Sequence, residues 1–350
     1  MAKAWILNGI GRISLENVDI PVPKANEVRV RVMAAGVCGS DIPRIFETGA
    51  HKMPLIPGHE FSGVVEETGS DSDRELIGRR VSVFPKIACG KCDMCMSGNP
   101  MMCTNYDYIG SRRDGAFAEF VTVPASNLLE IPDSVSYEEA AMMEPLAVAA
   151  NAVRTGTEGT SLDDPVAVCG LGTIGLMVIM LLVEAGYTNI YAIGNKPGQR
   201  DRARELGIPE GRYCDSTADD SVKWLSGAGG VGTYYECVGR NDTISRGIES
   251  LNPRGRLILV GNPYSDMAFS RDVWWKVLRY QLNISGIWNS SFIPCDPDDD
   301  WKYIMERLAG KRICPSKLVS HRLNINELDR GLSVMRDKTE DYCKIIIKNF

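Results

Sequence analysis

Four of the chain's eleven cysteines crowd into one stretch: Cys89, Cys92, Cys95 and Cys103. The spacing C-x2-C-x2-C-x7-C lets one loop wrap four thiolates around a single ion, and four thiolates close a tetrahedral zinc shell. A closed shell has no position for substrate, so this set is expected to hold a structural zinc that staples a lobe. A second group of ligand-type residues is dispersed: Cys38 in Cys38-Gly-Ser40-Asp41, His59 and Glu60 after Gly58, and Glu144 ahead of Pro145. Singly, each has an ordinary reading as a small core thiol, a loop histidine or a helix carboxylate. Together they offer thiolate, imidazole and carboxylate, the mixed set of a catalytic zinc that keeps one position open for an oxygen.

A third pattern speaks to a cofactor. Val166-Ala-Val-Cys169 runs into Gly170-Leu-Gly172-Thr173-Ile174-Gly175 and then into an apolar helix. Gly170 permits the tight turn, Gly172 lets the backbone approach a diphosphate, and Gly175 lets helix and strand pack closely. The diphosphate of a dinucleotide would sit on the helix N-terminus at Thr173 and Ile174, where free N–H groups favour negative charge. Enzymes of this kind that use NAD place Asp or Glu after the second strand to hold the ribose 2′-hydroxyl. Here that strand, Ile190-Tyr-Ala-Ile193, runs into Gly194, Asn195 and Lys196, with Arg200 close behind. No acid opposes a 2′-phosphate, and two cations are at hand, so NADP is expected to be preferred over NAD.

Two kinds of architecture must position these residues. The first third reads as β-rich, with short β-branched runs at Val28 to Met33, Gly63 to Glu67, Arg80 to Phe84 and Ala118 to Val123. Pro21, Pro23, Pro54, Pro57 and Pro85 punctuate it and argue against helices there. Tyr137 to Val153 is helical in composition, with Ser136 as its N-cap. From Pro165 onward strand-like and helix-like runs alternate, the mark of a parallel α/β sheet. A Pro/Asp-rich stretch from Ile293 to Asp300, an amphipathic helix near Trp301 and a closing strand Lys344 to Ile347 follow.

Composition sets limits. At 350 residues, 44% hydrophobic and 24% charged, the chain is an ordinary globular protein of about two domains. Its net charge of -6, without a run of lysine or arginine, argues against nucleic-acid binding. The apolar run Pro165 to Val183 carries three glycines in its first half and reads as strand, turn and helix, not as a membrane span. No secretory leader is visible, which points to a cytoplasmic protein whose cysteines bind metal and do not pair as disulfides.

These residues together resemble the zinc-containing medium-chain dehydrogenases along essentially the whole length. The resemblance is carried by Gly36-Val-Cys-Gly-Ser-Asp41, Gly58-His-Glu60, the four-cysteine lobe, Asp114-Gly-Ala-Phe-Ala-Glu119, Met143-Glu-Pro145 and the glycine turn. Glu144 stands where classical members have cysteine, as in the polyol branch of the family. The resemblance implies an α/β protein: a GroES-like β-rich catalytic domain, residues 1–150 and 289–350, interrupted by a doubly wound parallel-sheet Rossmann domain, residues 151–288. It also implies that Cys38, His59 and Glu144 are the catalytic zinc ligands, that Glu60 stands beside them or takes a ligand's place when the metal moves, and that Ser40 relays the substrate proton. Homodimers or homotetramers joined partly through the Rossmann sheet edge are expected.

The implied reaction moves a hydride between a secondary hydroxyl and NAD(P), with zinc lowering the hydroxyl pKa. The expected substrate is a polyol or polyol phosphate of the sorbitol or galactitol 1-phosphate type. Arg44, His51 and Arg113 from the catalytic domain, with Trp288 and Asn289 from beyond the last Rossmann strand, are expected to line the pocket, His51 among the catalytic groups. A phosphate would need an arginine partner, although Arg112 and Arg113 read equally well as makers of surface ion pairs. The competing readings are a zinc enzyme for simple alcohols, a zinc-free quinone or enone reductase on the same scaffold, and a non-enzymatic binding protein.

Overall fold

The computed structural model describes residues 1–293 and 296–348. Pro294 and Cys295 of the Pro/Asp-rich stretch, and the last two residues of the expected catalytic domain, lie outside the described residues. The chain divides into two compact units, Met1–Glu144 with Ser291–Phe350, and Pro145–Ser290.

The strand Glu27–Val37 organises the first unit. Val28, Val30, Val32 and Ala34 point into the core while Arg29 and Arg31 turn away, the period of two that one buried face requires. The sheet runs in the order Val319–Leu323, Lys344–Lys348, Glu27–Val37, Glu60–Thr68, Arg80–Val83, Leu128–Glu130, with Phe120–Pro124 also paired to Glu27–Val37. Phe61, Val65, Val81, Phe117, Ile345 and Ile347 fill its core. The antiparallel register sets Gly36 opposite both Glu60 and Ile346. One end of the sheet therefore gathers Cys38, His59, Glu60 and Lys344 from segments far apart in sequence.

Two helix expectations need correction. Despite its prolines, the first third contains the helix Asp41–Phe46, with Pro43 in its first turn, where no amide donor is required. The run from Tyr137 forms two helices, Tyr137–Ala141 and Met143–Thr157, parted at Met142. Pro145 explains the break, because its ring excludes a helical carbonyl at Ala141 and it has no N–H to give. Ser136 does cap the first of these helices, in a reciprocal capping box with Glu139.

In the second unit six parallel strands run in the order Tyr213–Asp215, Ile190–Gly194, Val166–Cys169, Val231–Glu236, Leu251–Leu259, Asn283–Gly286. This is the doubly wound 3-2-1-4-5-6 order, and it reverses between Val166–Cys169 and Val231–Glu236. The unit's limits differ from the expected 151–288. The helix Met143–Thr157 sends its carboxyl half to this sheet: Gly156 O accepts from Thr233 Oγ1 at 3.1 Å, and Val153 O from Tyr235 Oη at 3.4 Å. Asn151 Nδ2 donates to Asn289 O, which keeps Asn289 with this unit. Among the described residues no helix is long and apolar enough to cross a membrane.

Candidate metal and cofactor sites

Cys38 follows the strand Glu27–Val37, and His59 immediately precedes the strand Glu60–Thr68 paired with it. One ligand atom each from Cys38, His59 and Glu60 lies within 4.8 Å of the others. Gly36 makes this possible, since a Cβ there would meet Glu60 Oε2 at 2.2 Å. The grouped trio therefore contains Glu60, where Glu144 was expected. Glu144 starts the helix Met143–Thr157 and stands beside the trio, its Oε1 accepting from Tyr108 Oη at 3.2 Å. The difference has a physical source: each carboxylate is steered by its own partner, Glu60 by the buried Lys344 ammonium and Glu144 by the Tyr108 hydroxyl. A half-buried thiol with a buried imidazole and carboxylate suits zinc, and His59 Nδ1 is a buried ring nitrogen without a hydrogen-bond partner among the described residues.

The surroundings are strongly charged. Asp41, fully buried, accepts from the Cys38 amide at 3.0 Å and from Arg44 at 2.6 Å. Its Oδ1 is also 3.5 Å from His59 Nδ1, an ion-pair distance whose geometry falls short of a hydrogen bond. Burial pulls the His59 imidazolium down, yet the charges of Asp41 and Cys38 hold its pKa well above the usual value. A metal arriving at His59 therefore has a proton to displace. Burial raises Glu144, an effect that His59 partly offsets. Ser40 donates its hydroxyl to Cys38 Sγ at 3.3 Å and leaves the helix Asp41–Phe46 without a side-chain cap.

The four sulfurs of Cys89, Cys92, Cys95 and Cys103 also converge, all within 4.8 Å of one another. Amide donors from Cys95 and Thr104 draw the Cys92 thiol down to about 5, while burial and neighbouring sulfurs push Cys95 up to about 11. Lys86 adds a cation beside Cys103, Cys95 and Cys92, and its ammonium lies 4.5 Å from the Tyr106 ring centroid. This donor set fits a closed four-thiolate zinc.

The expected pocket residues do not all gather here. Arg44 reaches the Cys38–His59 cluster through Asp41. Arg113 pairs with Glu27 at 2.6 Å and stands 4.0 Å from Asp107, while Arg112 lies over the Tyr106 ring. His51 is exposed. Trp288, exposed, and Asn289, buried, belong to the second unit. Sequence reasoning assigned nothing to Asp41, Tyr108 or Lys344. Asp41 and Tyr108 stood inside motifs already singled out, whereas no spacing connects Lys344 with Glu60, 284 residues away.

In the second unit, Gly170 turns at φ 92° beneath Val238, and a Cβ at Gly175 would meet Gly170 O at 2.0 Å. Gly172 has nothing within 4 Å of where its Cβ would be, and as N-cap of Thr173–Glu184 it brings no side chain to the helix end. The turn thus leaves open space against uncapped amides at the switch point, which fits a diphosphate. Past the second strand, Gly194 is hemmed in, since a Cβ there would meet Tyr213 Oη at 2.6 Å and Gln199 Oε1 at 2.9 Å. Gln199 Oε1 accepts from the Asn195 amide at 2.9 Å and Tyr213 Oη donates to Lys196 O at 3.3 Å. Arg200 lies over the Tyr213 ring and 3.5 Å from Glu210. Asn195 and Lys196 are exposed.

Residues 24–133 match the alcohol dehydrogenase GroES-like domain, and residues 173–310 the zinc-binding dehydrogenase domain. Galactitol 1-phosphate 5-dehydrogenase of Escherichia coli is 32% identical over 318 residues, 90% of each chain. L-threonine 3-dehydrogenase of Rhizobium etli is 31% identical over 329 residues, 92% of this chain and 91% of the relative. A solved zinc-binding dehydrogenase of Sinorhizobium meliloti, bound to NADP, superposes with a TM-score of 0.90 at 28% identity, covering 100% of this chain and 99% of its own. An alcohol dehydrogenase of Escherichia coli complexed with NADH superposes at 0.89 with 25% identity, covering 99% of each chain.

Proposed function

The chain belongs to the zinc-type medium-chain dehydrogenase family and is an oxidoreductase acting on alcohols, and on that premise we propose that it oxidises a secondary hydroxyl of a polyol, with NADP preferred over NAD. The observation that carries this reading is the mixed cluster of Cys38, His59 and Glu60 with Glu144 beside it. Zinc held there supplies the Lewis acidity that lowers a hydroxyl pKa toward neutrality. Asp41 orients His59 and the Cys38 backbone, and Ser40, hydrogen-bonded to the Cys38 sulfur, is placed to carry the substrate proton away. Lys344 and Arg44 balance the anions around them.

Arg44, Arg112 and Arg113 each already have a protein partner, which supports a free polyol. A polyol phosphate is the second reading, supported by the likeness to galactitol 1-phosphate 5-dehydrogenase. For the cofactor, the support is the missing acid at Gly194, where a Cβ would already meet Tyr213 Oη and Gln199 Oε1. A homo-oligomer is supported by the edge strand Asn283–Gly286 and by the exposed Trp274, Trp275 and Leu278 of the helix Arg271–Tyr280. Every described cysteine is a free thiol, in keeping with a cytoplasmic setting. The test is kcat/KM for sorbitol, galactitol, galactitol 1-phosphate, L-threonine and simple primary alcohols, each with NADP and with NAD. Turnover of a polyol with NADP is expected to lead. Good turnover of primary alcohols or threonine with none of any polyol would overturn the substrate reading, and a clear lead for NAD would overturn the cofactor reading.

A further inference from the structure

Two carboxylates flank Cys38 and His59, and they are held by partners of opposite character. Glu60 is paired with the buried ammonium of Lys344, which neutralises it. Glu144 accepts from the neutral hydroxyl of Tyr108 at 3.2 Å. A neutral donor orients a carboxylate without cancelling its charge, so that charge stays available to a cation. Tyr108 also meets the His59 ring edge-on, with centroids 5.9 Å apart, and so touches two members of the site at once.

The backbone of Tyr108 is fixed from the other side. It pairs in register with Lys86 in the ribbon Lys86–Ile87 with Asp107–Tyr108. The four-cysteine loop lies between these two strands in sequence, and its four sulfurs converge within 4.8 Å of one another. Its ring further leans on Tyr106, at 6.3 Å, which is itself flanked by Lys86 and Arg112.

We propose that Tyr108 is a positioning residue for the catalytic metal: its hydroxyl holds Glu144 beside His59 as the charge-bearing carboxylate, and the four-cysteine lobe holds Tyr108. This rests on the reading that Cys38 and His59 bind zinc. Hydrogen-bond partners of ligating carboxylates contribute about 10–100-fold in metal affinity.

The test follows zinc transfer from full-length, zinc-loaded protein to a chromogenic chelator, with Cys38→Ser identifying which of two zinc ions belongs to that site. Tyr108→Phe is expected to weaken the Cys38-dependent zinc by about 10–100-fold and to leave the other zinc unchanged. Glu144→Gln is expected to weaken it as well, by removing the carboxylate charge, and the double variant little further, because Tyr108 then has no charged ligand to position. In cobalt-substituted protein, the ligand-field bands of that site should shift in Tyr108→Phe while far-UV circular dichroism does not. Tyr106→Phe, which keeps its ring, should leave both affinities as they are. A wild type without a Cys38-dependent zinc would overturn the underlying reading. A wild type with that zinc, whose affinity and cobalt spectrum ignore Tyr108→Phe, would overturn this proposal alone. Loss of both ions in Tyr108→Phe would also overturn it, by showing that the tyrosine serves the fold.

Discussion

Replacing Lys344 by methionine removes a cation from a site that keeps its anions. Lys344 and Glu60 are both almost wholly buried, and the ammonium also donates to Val37 O at 3.2 Å. Burial alone would pull the lysine pKa down, but Glu60 and Cys38 hold it above its usual value. A raised folded-state pKa means that the stabilisation is complete below the unfolded pKa and is lost only as pH rises through the raised one. It therefore acts at full strength near neutrality. Stranding one member of a buried pair costs about 3–5 kcal/mol. At about 1.36 kcal/mol per tenfold, that is roughly two to three and a half powers of ten in a local opening equilibrium. Amide hydrogen exchange in the strands Glu27–Val37 and Lys344–Lys348 reads this directly, without requiring a two-unit chain to unfold in one step. In metal-free Lys344→Met, protection there should fall by that factor. With zinc restored the loss should shrink, because the ion supplies the missing positive charge. Adding Glu60→Gln should recover part of the loss, since no charge is then stranded. An equal loss with and without zinc, or no loss in the metal-free protein, would refute the reasoning.

Cys38→Ser should abolish turnover while leaving melting temperature nearly unchanged, and His59→Ala should abolish it in a protein that still folds; Cys92→Ser should lower the melting temperature and the zinc content. Turnover lost in Cys92→Ser with fold and metal intact would contradict that division. Gly194→Asp alone should leave the NADP to NAD ratio of kcat/KM little changed, because its Cβ meets Tyr213 Oη at 2.6 Å; with Tyr213→Ala added, the ratio should move toward NAD. A single Asp variant that switches cofactor by itself would show that Tyr213 does not guard the position. Trp274→Glu with Leu278→Glu should reduce the particle mass seen by multi-angle light scattering to that of one chain, and an unchanged oligomer would place the interface elsewhere.

What could be read in advance depended on how local each signal is. The cysteine loop and the glycine turn are contiguous, and the geometry each adopts, four converging sulfurs and a tight turn into a helix, was legible from spacing alone. The parallel sheet of the second unit, though not its strand order, followed from alternating strand-like and helix-like runs. The break at Met142 was legible too, had the carbonyl that Pro145 excludes been counted back to Ala141. The cluster proposed to be catalytic is another matter. Which carboxylate joins Cys38 and His59 is decided by Lys344 and Tyr108, and their approach is a product of strand register. Register is set by the buried face of the whole sheet, a tertiary property that no single stretch carries.

The two metal-type sites differ in what supports them before any ion arrives. Around Cys38 the anions Asp41, Glu60 and Glu144 are met by Arg44, Lys344 and His59, whose pKa is held above its usual value, all set on the end of a sheet with a full apolar core. Charge and packing are both satisfied there, so that site can stand ready and take up its metal by giving up protons. Between Gly90 and Asn105 only Cys103 is buried, and Met94, Met96 and Met102 are exposed. A segment with so little apolar burial cannot offset the entropy of its own ordering. Its four sulfurs are split between a thiol drawn down to about 5 and one pushed up to about 11, with Lys86 as the adjacent cation. On the proposed reading a metal there would supply both the missing charge and the missing core. On the same reading, one ion would serve chemistry on a scaffold that folds without it, and the other a lobe that does not. The ribbon that pairs Lys86 with Tyr108 is the link through which, on that reading, the lobe would bear on the other site.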